Sequence, residues 1–231
     1  MLNPSRIKAI TLDLDDTLWP IWPTIARAET ALTGWLADRA PATVALLAQP
    51  DTKRQIRTET ELAFAHLAHD LGTLRREAIR LALRRAGDDP ALAEPAFEVF
   101  FEARHQVDLF ADALPALEAL SARYPLVALS NGNADIQRVG LARYFKAALS
   151  AREFGVGKPD PRIFHAAAAL AGAAPEHTLH VGDDAHLDGV GGLGAGMQFA
   201  WVNREGHDWG HAPHQPHLTI ADLNALVERL G

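Results

Sequence analysis

The hydrophobic periodicity changes twice along this chain, and those changes constrain its fold more than any other feature. Ile7-Lys8-Ala9-Ile10-Thr11-Leu12 is a short β-prone run that stops abruptly in an acidic cluster, Asp13-Leu14-Asp15-Asp16. From about Pro23 to Gln106 the pattern becomes Ala-, Leu- and Arg-rich with helical spacing, broken at Pro41, Pro50, Gly72, Gly87 and Pro90, which predicts four or so helices. After Leu109 the two periods alternate. A helix through Leu114–Ser121 is expected, then a strand at Leu126–Ser130, a helix through Ile136–Tyr144 and a short strand at Ala147–Ser150. Asp160 can cap a helix that has Pro161 at its first position and stops near Gly172. Strands at Thr178–Val181 and Gln198–Val202 follow, separated by a helix ending at Gly196.

Alternating strands and helices imply an α/β fold with a doubly wound parallel sheet, because right-handed crossovers place helices on both faces. The helical block interrupts that layer after its first strand. The expected division is a core over 1–18 and 111–231 with a helical insertion over 19–110, a lid above the strand ends where open α/β sheets bind ligands.

Four segments each follow a strand and end in residues suited to phosphate chemistry: Asp13-Leu14-Asp15-Asp16-Thr17, Ser130-Asn131-Gly132-Asn133, Gly157-Lys158-Pro159, and Gly182-Asp183-Asp184 with Asp188. Any one is weak, since aspartates commonly cap helices or fill turns. Strand alternation gathers all four at one sheet edge. An anionic nucleophile approaches a phosphate monoester only if the repulsion is cancelled, and Mg²⁺ favours one or two carboxylates plus phosphate oxygens. Asp13 and Asp183 are the candidate ligands. Asp13 is also the candidate nucleophile, forming an aspartyl phosphate, and Asp15 the acid and then base. Ser130, with the amides of Asn131 and Gly132, suits phosphate oxygens. Lys158 supplies the stabilising charge. Asp184 and Asp188 fit a supporting role, orienting metal-bound water or Lys158, while Thr17 fits a phosphate-binding position, a turn or a hydrogen bond to Asp15.

In this order the four segments resemble the motifs of the haloacid dehalogenase superfamily of phosphohydrolases. The resemblance implies a Rossmann-like core with an inserted α-helical cap. It also implies Asp13 as nucleophile, Asp15 as acid/base and a metal ligand through its carbonyl, Ser130 as phosphate binder, Lys158 as stabilising cation and Asp183 as Mg²⁺ ligand. More narrowly, Ser130-Asn131-Gly132-Asn133-Ala134, Leu179-His180-Val181-Gly182-Asp183-Asp184, and Asp188-Gly189-Val190-Gly191-Gly192 with Gly196-Met197-Gln198 resemble bacterial flavin mononucleotide phosphatases. Those are also implicated in dephosphorylating a ribitylaminouracil phosphate in riboflavin synthesis. The loop Leu18-Trp19-Pro20-Ile21-Trp22 departs from their more polar stretch. Nucleoside monophosphates and sugar phosphates are the alternative substrates. Phosphotransfer, haloacid dehalogenation and non-catalytic binding are the rival activities, and Asp15 and Asp183 argue against dehalogenation, which needs neither an acid for an alkoxide nor a metal.

Composition narrows the partners. With 48% hydrophobic and 22% charged residues the chain is an ordinary globular protein, and it has no stretch of roughly 20 apolar residues to span a membrane. No cysteine is present, so disulfides and thiolate sites are excluded, and a cytoplasmic enzyme is expected. A net charge of −7 disfavours nucleic acid. Arg75, Arg76, Arg80, Arg84 and Arg85 are expected on a solvated helix face. The partner is therefore a small phosphorylated metabolite, with monomer and homodimer equally open. Three further signals have plainer readings. Gly189, Gly191 and Gly194 lack the strand that a dinucleotide loop must directly follow. His207, His211, His214 and His217 lie among Gly210, Pro213 and Pro216, and so in a surface loop, while His66 and His69 fit a solvated face. Trp19 and Trp22 are expected to pack rather than stack on a ligand ring.

Overall fold

The computed structural model describes all 231 residues and divides into two compact units, Met1–Pro20 with Asp108–Gly231, and Ile21–Val107. Trp19 and Pro20 thus belong to the first unit, as do Asp108 to Phe110. In that unit six strands form one sheet in the order β3-β2-β1-β4-β5-β6, with every neighbouring pair parallel. They are β1 (Ala9–Leu12), β2 (Leu126–Ser130), β3 (Ala147–Ser150), β4 (Thr178–Gly182), β5 (Gln198–Val202) and β6 (Leu218–Ile220). The first, second, fourth and fifth are buried along their whole length, which explains why their sequences are apolar runs rather than alternating patterns. The order reverses between β1 and β4, so the loops that leave these two strands diverge around a crevice.

The second unit is helical: α1 (Ile21–Ala37), α2 (Pro41–Leu47), α3 (Pro50–Ala63), α4 (Leu71–Ala86) and α5 (Ala93–Arg104). Its own core joins Ala28, Leu32, Leu36, Ile79, Leu83, Phe97 and Phe100 from α1, α4 and α5. Pro41, Pro50 and Gly87 mark helix ends as expected, but Gly72 lies inside α4, whose N-terminus is set by Asp70 accepting from Thr73 N–H. The N-terminus of α2 lacks a cap of its own, and Asp88 supplies one from outside by accepting from Thr43 N–H and Oγ1 at 2.8 and 2.6 Å. Of the arginines of α4, Arg84 and Arg85 are exposed as expected, whereas Arg75, Arg76 and Arg80 are half-buried. Arg75 pairs with Glu29 and lies 3.9 Å over the Phe100 ring, Arg76 lies over Phe97, Arg80 pairs with Glu77 and Glu94, and Arg85 pairs with Glu59. Guanidinium stems and faces cover aromatic surface while their charges are paired, so the stripe packs the helices together.

The helices of the first unit are α6 (Ala113–Ser121), α7 (Ala151–Phe154), α8 (Pro161–Ala171), α9 (Gly191–Gly194) and α10 (Leu223–Leu230). Asp160 caps α8 by accepting from Arg162 N–H, and Gly172 ends it in a left-handed conformation. The alanines of α8 let it approach the sheet closely. Its Ile163 and Phe164 join Ala9, Val127 and Leu129 in a core where each buried large side chain contributes about 2 kcal/mol. The helix expected over Ile136–Tyr144 is instead a series of turns ending in a 3₁₀ segment, Ala142–Tyr144. Gly140, at φ 82°, ends the turns before a second helical turn can form. Between β4 and β5 the expected helix is present as a π-helical turn, Ala185–Val190, running into α9. The short β6 and the helix α10 carry too few periodic residues to be recognised from the sequence.

Candidate active site

Asp13 directly follows β1, and its N–H donates to Val181 O of β4 at 2.9 Å, so the parallel ladder sets the residue at the crevice. The loop beyond folds tightly. Leu18 N–H donates to Leu14 O and Asp16 N–H to Trp19 O, both at 2.8 Å, and Asp16 takes φ 57°, a left-handed conformation that aspartate tolerates better than most residues. Trp19 is buried, as expected of a packing residue, and its Nε1–H donates to Asp15 Oδ1 at 2.8 Å. Sequence reasoning missed this role, since an indole four residues after a carboxylate gives no directional signal. Trp22 does not pack: it is 76% exposed in the first turn of α1.

Lys158 is buried between two carboxylates, 2.6 Å from Asp13 Oδ1 and 2.5 Å from Asp188 Oδ1. Burial alone would discharge the amine, but the charges of Asp13 and Asp188 push its pKa up, and it stays an ammonium. Its backbone is clamped by Asn131, whose Oδ1 accepts from Lys158 N–H at 2.7 Å and whose Nδ2 donates to Lys158 O at 2.8 Å. The Asn131 side chain is thus spent on the lysine loop, a role separate from the one read for its backbone amide. The Gly132 N–H is likewise engaged, donating to Ser130 Oγ at 2.9 Å and leaving the buried serine its own O–H to donate.

Asp188 accepts hydrogen bonds at both of its oxygens. Its Oδ1 also accepts from His180 Nε2 at 2.9 Å, and its Oδ2 accepts from Asp184 N–H at 3.0 Å. Burial would raise its pKa, yet Lys158 and His180 hold it down at about 2. The His180 pKa is lowered by burial, and Nδ1 faces Thr11 Oγ1 at 2.8 Å; because the Asp188 carboxylate can only accept, Nε2 carries the proton. This close packing requires Gly182, where a Cβ would lie 2.4 Å from the Asp188 carboxylate. Asp184 instead caps the π-helical turn, accepting from the N–H groups of His186 and Leu187 at 2.8 Å.

Asp183 accepts at Oδ1 from Thr17 Oγ1 at 3.0 Å, a partner that the sequence did not indicate for Thr17. Carboxylate oxygens of Asp13, Asp183 and Asp188 lie within 4.8 Å of one another. Three acidic groups thus converge on one ammonium. Burial first, then the neighbouring Asp188 charge, raises Asp183 to about 7, while burial and the charges of Asp188 and Asp183 hold Asp13 above the usual carboxylate range against the pull of Lys158. A divalent cation would remove that penalty. Asp188 already accepts from three donors, whereas Asp13 and Asp183 have one side-chain donor each, so the donor set fits Mg²⁺ held by these two. The histidines form no such centre. His207 and His214 are exposed, His211 is half-buried against Trp209, and His217 accepts from Phe199 N–H at 3.1 Å.

The family model of haloacid dehalogenase-like hydrolases matches residues 7–196. The chain belongs to that family. As a haloacid dehalogenase-like hydrolase it is 32% identical to the 5-amino-6-(5-phospho-D-ribitylamino)uracil phosphatase YigB of Escherichia coli K12, over 96% of this chain and 95% of that one. It is 36% identical to the phosphoserine phosphatase of Thermus thermophilus over 69% and 66% of the two chains. Among solved structures, a 2-haloacid dehalogenase from Pseudomonas syringae pv. Tomato DC3000 superposes with a TM-score of 0.91 at 39% identity, covering 97% of this chain and 98% of that one.

Proposed function

We propose that this hydrolase is a Mg²⁺-dependent phosphatase acting through an aspartyl phosphate on Asp13, with flavin mononucleotide or a related ribityl phosphate as substrate. The observation that carries the reading is the buried charge imbalance at the sheet edge, where Asp13, Asp183 and Asp188 share the single ammonium of Lys158. Asp13 and Asp183, with the Asp15 main-chain carbonyl, would hold the cation. When bound it supplies positive charge to the substrate phosphate. The Asp13 carboxylate attacks phosphorus and the ester P–O bond breaks. The leaving alkoxide takes a proton from Asp15, whose carboxyl is aimed by the Trp19 indole. Asp15 then removes a proton from water, which attacks phosphorus and breaks the P–O bond to Asp13, releasing phosphate. Lys158 steadies the equatorial oxygens, and the Ser130 hydroxyl donates to the same group.

The substrate class rests on the YigB relative, which matches nearly the whole of both chains. The setting is cytoplasmic, in keeping with helices none of which is long and apolar enough to cross a membrane. The dehalogenase-named structural relative favours a second reading, in which Asp13 displaces halide from a 2-haloacid. That reaction leaves Asp15 and the acidic cluster without a task. Phosphate release from flavin mononucleotide, nucleoside monophosphates and sugar phosphates, with Mg²⁺ and then with chelator, separates the two, run beside halide release from 2-chloropropionate. Chelator-sensitive release led by flavin mononucleotide is expected, with Asp13→Asn inactive and Asp15→Asn slowed by about 10²–10⁴ while both stay folded. Near-normal turnover in either variant would overturn the mechanism.

A further inference from the structure

Strand β5 carries none of the four motif segments, yet its C-terminal end reaches the site. The register Gly182↔Trp201 sets Trp201 beside the end of β4. Trp201 is buried, and its Nε1–H donates to the main-chain oxygen of Asp183 at 2.7 Å. Just beyond the strand, Arg204 Nη2 donates to the main-chain oxygen of Thr17 at 2.9 Å. The same guanidinium forks onto Asp112 at 2.8 and 3.1 Å and lies 3.8 Å over the Phe110 ring, so its position is fixed from two further directions. Thr17 in turn donates from Oγ1 to Asp183 Oδ1.

Asp183 is therefore gripped twice from β5: directly at its carbonyl by Trp201, and at its carboxylate through Thr17, whose own peptide Arg204 holds. Rotation of the Asp183 peptide would swing its Cα–Cβ bond and move the carboxylate away from Asp13. A small, reluctantly dehydrated cation such as Mg²⁺ tolerates little error in ligand placement. We propose that Trp201 and Arg204 are positioning residues that set the Asp183 carboxylate for a divalent cation. The inference rests on the reading of Asp13 and Asp183 as the cation's ligands.

Mn²⁺ titration, read from the electron paramagnetic resonance signal of the free aqua ion, tests it on the full chain and on Asp183→Asn, Trp201→Phe and Arg204→Gln. Phenylalanine keeps an aromatic ring against Trp209 while removing the N–H donor. Trp201→Phe and Arg204→Gln are expected to weaken Mn²⁺ binding by about tenfold or more, the usual consequence of deleting a hydrogen-bond partner of a ligand. The Mg²⁺ concentration giving half-maximal hydrolysis of p-nitrophenyl phosphate should rise by a similar factor, more than kcat falls. If Arg204→Gln does not fold, Trp201→Phe decides the question alone. Wild-type Mn²⁺ affinity in Trp201→Phe, whatever its melting temperature, would show that the indole N–H is merely satisfied by a convenient carbonyl, and would overturn the proposal. Equal Mn²⁺ binding by the wild type and Asp183→Asn would instead overturn the ligand assignment beneath it.

Discussion

Single side chains at this site divide their work in ways that residue type alone does not announce. Asn131 lies among groups suited to phosphate, yet both ends of its amide are bonded to the Lys158 main chain. Its contribution is to fix where the ammonium emerges between Asp13 and Asp188. Asn131→Ala should therefore lower kcat by about 10²-fold, as expected when a catalytic group moves by about an ångström, without abolishing binding of the substrate. Steady-state kinetics with melting curves checks this, and an unchanged kcat would return Asn131 to a bystander. The sequence marks Asp188 as a partner of Lys158 or of metal-bound water, and it lies 2.5 Å from Lys158; its bond from His180 is not foreseen there. His180 reaches Asp188 from β4, where it pairs with Thr11 of β1, and Lys158 from the loop that Asn131 holds.

Elements at the edge of the sheet are joined by a few buried charges. Asp112 ties α6 to the N-terminus of α10 by accepting from Leu223 N–H at 2.7 Å, and ties both to the loop after β5 through Arg204. Burial would raise the Asp112 pKa, but the hydrogen bonds from Arg204 and from the Leu223 N–H outweigh it and hold the group below its usual 3.8. A depressed carboxylate contributes stability above its unfolded pKa and loses it as the pH falls through the folded value. Asp112→Asn should accordingly cost about 2 kcal/mol at pH 7, and the difference from wild type should shrink as the pH drops below about 4. Urea unfolding at both pH values measures it, and a constant difference would place the effect in packing. Helix α10 escaped the sequence reading because eight residues give scarcely two turns of periodicity, and its cap, Asp222, resembles any turn aspartate.

Across the whole molecule, pH and metal should act on the same charges. Asp183, raised to about 7 by burial and the Asp188 charge, and Asp13, raised in the same direction, retain protons that the unfolded chain releases near 3.8. The stability they contribute is fully present below the unfolded pKa and is lost as the pH climbs through the folded values. Metal-free protein should therefore melt progressively lower between about pH 5 and pH 8, and Mg²⁺ should raise the melting temperature more at pH 8 than at pH 5. Thermal melts in chelator and in Mg²⁺ test this, and Asp183→Asn should remove most of the difference. A metal effect independent of pH would show that the cation does not bind at these carboxylates.

By itself the sequence determined the doubly wound architecture, and it pointed to a helical block after the first strand and to acidic residues at the strand ends. Apolar runs, helix periods and Pro or Gly stops are local signals, and parallel strands all deliver their carboxyl ends to one edge. The tertiary structure alone decided that Trp19 aims Asp15, that the Asn131 side chain holds Lys158, that Thr17 serves Asp183, and that Trp201 and Arg204 reach the site from a strand without a motif. Each of the last four pairs residues from different segments of the chain, and an indole N–H or a guanidinium takes whichever acceptor the packed sheet brings near. It likewise turned the expected helix after β2 into turns, because one glycine at positive φ outweighs a weakly periodic segment.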